Sequence, residues 1–90
     1  MEIIVVKRDG TEVPYDSAKI ASAVSKAILE VDGNLSKQYL AENIANSVDS
    51  YMKAHSVECI TVEEIQDLVE NLLIYPGDYP EIARAYIRYR

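Results

Sequence analysis

Ninety residues with 49% apolar content make one ordinary globular domain, too short for two and too apolar for disorder. The net charge is −6, and seven acidic residues with no Lys or Arg lie from Glu58 to Glu81, which argues against a nucleic-acid surface there. One cysteine and one histidine cannot form an internal disulfide or a closed four-ligand zinc site.

No apolar run approaches the roughly 18 residues that cross a membrane. The opening Met1-Glu2-Ile3-Ile4 has no basic stretch leading into an apolar one, so no signal peptide is expected. Cys59, beside Ile60, is read as a small buried hydrophobe in a reducing cytoplasm. His55 is read as the polar end of a helix.

The chain opens on the β-branched run Ile3-Ile4-Val5-Val6, followed by Lys7-Arg8-Asp9-Gly10. Asp-Gly is a strong turn signal because glycine accepts the positive φ of a tight hairpin. Thr11 to Pro14 then returns as a second strand, an edge strand because proline cannot donate to a ladder. Asp16 is a good cap for a first helix, in which Ile20, Ala23, Val24, Ala27, Ile28 and Val31 recur at helical spacing up to Asp32-Gly33-Asn34.

Ser36 is expected to cap a second helix with the stripe Leu40, Ile44, Val48 and Met52, ending near His55. Glu58-Cys59-Ile60 could add a third strand. Thr61-Val62-Glu63-Glu64 reads as a capping box ahead of a third helix carrying Ile65, Leu68, Val69, Leu72 and Leu73. Pro76-Gly77 breaks that helix. Pro80 suits the first turn of a fourth, with Ile82, Ala83, Tyr86 and Ile87 inward. The fold class is therefore α+β, a small hairpin or three-stranded sheet packed on four helices.

The basic residues are clustered. Lys7 and Arg8 sit at the hairpin turn, and Lys19 lies one turn into the helix that follows it. All three can converge near that helix start, where backbone N–H groups and the dipole favour an anion. The functional reading is a phosphate-bearing ligand held between hairpin and first helix. On charge alone, three solvated basic side chains are the better reading, because exposed Lys and Arg are common. Gly10, Gly33 and Gly77 are too far apart for a glycine cradle around phosphates. The acidic group Glu63, Glu64, Asp67 and Glu70 is read as a solvated helix face and not as a metal site. No nucleophile–base pair appears, so the chain is not read as an enzyme.

Three separated blocks carry a resemblance. Val6-Lys7-Arg8-Asp9-Gly10, then Pro14-Tyr15-Asp16, then Lys19-Ile20 resemble the opening signature of the ATP-cone family. The run from Ile60 to Glu70 and the closing Ala83-Arg84-Ala85-Tyr86-Ile87-Arg88-Tyr89-Arg90 resemble it too. Tyr15 stands where the family usually has Phe, which adds a hydroxyl needing a partner.

The resemblance implies a regulatory domain that binds ATP and dATP, with magnesium, as allosteric effectors of a ribonucleotide reductase, through changes in subunit assembly. It implies phosphate contacts from Lys7, Arg8 and Lys19. It implies that Val6 and Ile20 border the nucleotide, that Val62, Ile65 and Gln66 line the base side, and that Arg88 is a phosphate or core partner. It implies a single ATP-cone domain over residues 1–90, excised from the N-terminus of a larger cytoplasmic chain. The wording of the third helix and the closing run is most like the anaerobic class of reductase. The catalytic body of that reductase and a nucleotide-dependent homo-oligomer are the expected partners, with neither nucleic acid nor membrane. A reductase-gene repressor is a second parent in which the domain occurs. A degenerate interaction domain without nucleotide is the alternative from another class.

Overall fold

A computed structural model describes residues 2–75 and 77–88. Three short strands and four helices follow in the order β1 (Ile4–Val6), β2 (Glu12–Pro14), α1 (Ser17–Asp32), α2 (Gln38–Ala54), β3 (Cys59–Thr61), α3 (Val62–Ile74) and α4 (Pro80–Arg88). The sheet order is β2-β1-β3. β1 runs antiparallel to β2, with Val5 opposite Val13, and parallel to β3, with Val5 opposite Ile60. A parallel pair needs a long crossover, and α1 with α2 supplies it.

Strand alternation decides which side chains meet the helices. Ile3, Val5 and Ile60 are buried, while Val6 is half-buried and paired across the ladder with Glu12. The same alternation overturns one expectation. Ile60 takes the inward position of β3, so Cys59 beside it points to the other face and is exposed. The third strand forms as expected, and β2 is an edge strand that tolerates Pro14.

α1 starts on Asp16, whose carboxylate accepts from the Ala18 amide at 3.0 Å, and stops at Gly33. α2 does not start on Ser36. The Ser36 amide donates to Asn34 Oδ1 at 2.9 Å, so Ser36 belongs to an Asx turn; Lys37 precedes the helix without a side-chain cap. The Thr61 hydroxyl accepts from the Glu64 amide at 3.1 Å. The Glu64 carboxylate comes back to meet that hydroxyl at 3.1 Å, a variant of the expected box.

The helices enclose a core of Val24, Ala27 and Ile28 from α1, Ala41, Val48 and Met52 from α2, Val69 and Leu73 from α3, and Ile82, Ala83 and Ala85 from α4. Each large aliphatic side chain buried there stabilises the fold by about 1.5–3 kcal/mol. α1 packs on both α2 and α4, and α3 on α4 and α2. Ile87 corrects a second expectation. Tyr86 takes the inward position, and one residue further, about 100° around the helix, Ile87 is exposed. The expected break at Pro76 and the closing Tyr89 and Arg90 lie outside the described residues. Among the described residues, no helix is long and apolar enough to cross a membrane.

Candidate functional site: a cleft between the hairpin and two helix starts

The hairpin turn is locked by its own chain. The Lys7 amide donates to Thr11 O at 2.8 Å and the Gly10 amide to Lys7 O at 2.9 Å. Gly10 sits at φ +86°, a left-handed conformation that strains residues with a Cβ. The Thr11 amide donates to Asp9 Oδ1 at 2.9 Å. Hydrogen bonding with Thr11 holds the Asp9 carboxyl below its usual value, so it stays ionised at the turn. These bonds fix the point from which Lys7 and Arg8 project.

A cleft of about 300 Å³ opens between this hairpin and the helix starts, near the lower end of the range for small-molecule sites. Its apolar walls come from Val5, Ile20, Val62 and Ile65, with Tyr86 and Tyr15 beside them. Its polar groups are Lys7, Lys19, Asp16 and Gln66. The three elements meet because β1 is the central strand. Its parallel partner β3 runs straight into α3, and its antiparallel partner β2 runs through Tyr15 and Asp16 into α1.

A second, shallower depression is lined by Lys7, Arg8, Asp9, Val62 and Gln66, so Lys7, Val62 and Gln66 border both. Of the residues singled out in the sequence, the fold thus brings Lys7, Lys19, Ile20, Val62, Ile65 and Gln66 to one cleft. Arg8 is placed next door. Its Nε donates to Glu63 Oε2 at 3.0 Å, and its Nη2 to Gln66 Oε1 at 3.5 Å. Val6 and Arg88 line neither depression. Arg88 ion-pairs with Glu30 and ties α4 to α1.

The charged groups lining the cleft are Lys7, Lys19 and the Asp16 carboxylate. Among the described residues, neither Lys7 nor Lys19 has a carboxylate within ion-pair distance. The start of α1 is partly occupied, because Asp16, the expected cap, takes the Ala18 amide. The two ammonium groups are therefore the main attraction for an anion, and the aliphatic walls suit a flat apolar group.

Sequence reasoning missed several lining residues, among them Val5, Tyr15, Ala23 and Tyr86. Val5 could have been found from its period-two partnership with Ile3, and Ala23 from its place one turn after Ile20 and Lys19. Tyr86, expected to face inward, and Tyr15 both pack against the core and also border the cleft. The Tyr15 hydroxyl needed a partner and has one: it donates to Asp49 Oδ1 on α2 at 2.6 Å. Among the described residues, no three metal-ligating side chains cluster.

A three-stranded mixed sheet against four helices is the α+β fold of the ATP-cone class of domain. The family profile, described as the ATP cone domain, matches residues 3–90, and the chain belongs to that family. Its curated relatives are ribonucleotide reductases of several kinds. It is 42% identical over 90 residues to the vitamin B12-dependent ribonucleoside-diphosphate reductase of Thermoplasma acidophilum, covering 96% of this chain and 11% of that one. It is 42% identical over 86 residues to the anaerobic ribonucleoside-triphosphate reductase of Salmonella typhimurium, with the same two shares, 96% and 11%. It is 34% identical over 94 residues to the ribonucleoside-diphosphate reductase subunit alpha of Chlamydia pneumoniae, covering 98% of this chain and 9% of that one. The chain thus spans about a tenth of the length of these relatives. Equal identity to the B12-dependent and the anaerobic enzymes leaves the kind of reductase undivided.

Proposed function

We propose that this chain is the allosteric nucleotide-binding domain of a ribonucleotide reductase, and that ATP and dATP compete for the cleft between the hairpin, α1 and α3. The observation that carries the reading is that Lys7 and Lys19, neither within ion-pair distance of a carboxylate among the described residues, line one cleft with apolar walls. In this reading the two lysines hold the phosphates as point charges. Arg8 joins them from the neighbouring depression. Ile20, Val62 and Ile65 pack on the base, and Gln66 offers it a hydrogen-bonding amide. Magnesium comes in with the nucleotide, held mainly by phosphate oxygens and water.

The chemistry of reduction then belongs to a larger cytoplasmic chain, of which this domain forms the N-terminal part. The nucleotide would act on that chain by changing subunit assembly. The third helix and the Tyr86-Ile87-Arg88 run support an anaerobic ribonucleoside-triphosphate reductase as parent. Family membership and the reductase names of the relatives support the wider class.

Calorimetric titration of the ninety-residue chain with ATP and with dATP tests the proposal. Saturable heat and a rise in melting temperature with either nucleotide are expected, because a ligand that binds only the folded state stabilises it. No heat and no thermal shift at millimolar nucleotide would defeat it.

A further inference from the structure

We propose that Glu63 restrains the cleft's preference for phosphate-rich nucleotides by holding Arg8 until a sufficiently charged ligand takes it. This inference rests on the reading of the cleft as a nucleotide site. Arg8 stands beside Lys7, which faces the cleft, yet its guanidinium is turned onto the start of α3. Nε is spent on Glu63 at 3.0 Å and Nη2 on Gln66 at 3.5 Å. The two acceptors are one helical turn apart, so the planar fork lies along the first turns of α3.

The grip is weak enough to be exchanged. The Arg8 and Glu63 side chains are 59% and 46% exposed, and ion pairs so placed contribute little. A phosphate arriving on Lys7 offers the guanidinium a doubly charged acceptor a short reach away. Two consequences follow from the same carboxylate. Arg8 is given up only to a ligand that competes with it, and Glu63, left facing the phosphates, repels each added charge. A monophosphate that reaches only Lys7 and Lys19 leaves the pair intact. A triphosphate must break it and gains Arg8 in return.

Glu63→Gln removes the competing charge and keeps a hydrogen-bonding side chain of the same shape. The test is titration of AMP, ADP and ATP into wild type, E63Q, Arg8→Ala and the R8A/E63Q double variant, with melting temperatures measured alongside. E63Q is expected to tighten ATP about fivefold and AMP hardly at all. The gain should shrink in the R8A background, because there is no guanidinium left to release and only the direct repulsion remains. A merely structural Glu63 would shift melting without sorting ligands by charge.

Equal tightening of AMP and ATP by E63Q, no change with either, or a gain that persists undiminished in R8A/E63Q overturns the role of Glu63 while leaving the nucleotide site standing. If neither wild type nor E63Q binds any of the three nucleotides at millimolar concentration, the reading of the cleft fails and this inference falls with it.

Discussion

The Tyr15 hydroxyl donates a 2.6 Å hydrogen bond to Asp49, joining the residue that links β2 to α1 with the middle of α2. Tyr15 is also part of the cleft wall, so one side chain ties the candidate site to a helix that contributes nothing else to it. Tyr15→Phe keeps the ring and removes the tie. Because the pair is half-buried, a cost of about 1 kcal/mol is expected, lowering the melting temperature by about 4–8 °C. Unchanged melting would show that Asp49 loses nothing when it returns to water.

The same pair sets an alkaline limit. Burial first, and the hydrogen bond to Asp49 second, raise the Tyr15 hydroxyl above its ordinary 10.0. A raised folded-state value means that the unfolded chain ionises first. The associated stability is therefore fully present below about pH 10 and is lost as pH climbs toward the folded value. Urea denaturation between pH 9 and 11 should show wild type losing stability with pH more steeply than Tyr15→Phe. Parallel slopes would mean that other tyrosines and lysines carry the whole effect.

Cys59 is exposed on β3 and not in the core. A thiol-specific reagent should label it stoichiometrically in the native protein, without denaturant. Cys59→Ser should change stability by no more than about 0.5 kcal/mol, as surface substitutions do. Labelling only after unfolding would restore the buried reading.

Gly77 lies against the end of α3. A Cβ there would sit 2.6 Å from Leu72 O and 2.9 Å from Leu73 O, both backbone atoms. Neither can step aside without distorting the α3–α4 connection. Gly77→Ala is expected to cost about 1–3 kcal/mol, seen as a shift in the urea midpoint at an unchanged slope. A variant as stable as wild type would mean that the connection adjusts freely.

Most of the fold is legible in the sequence because it is built from local signals. Asp16, Gly33 and Thr61 mark helix ends with their own side chains or backbone, and the α1 and α2 stripes keep helical period. What was not legible depended on the partner each residue finds in the folded chain, near or far in sequence. Whether Cys59 or Ile60 faces inward is fixed by the register of β3 on β1, which no single strand encodes. Ser36 looks like a cap until Asn34, two residues earlier, claims its amide. At the site, charge revealed Lys7 and Lys19, but not that Glu63 would engage Arg8 from 55 residues away.

The most direct test of the phosphate end of the cleft is to titrate ATP and unphosphorylated adenosine separately into wild type, Lys7→Ala and Lys19→Ala by calorimetry. Each lysine variant should weaken ATP by about tenfold or more, the equivalent of one charge-assisted hydrogen bond, and leave adenosine within about twofold of wild type. Equal losses for ATP and adenosine, or ATP binding that neither substitution alters, would contradict phosphate contact by these two residues.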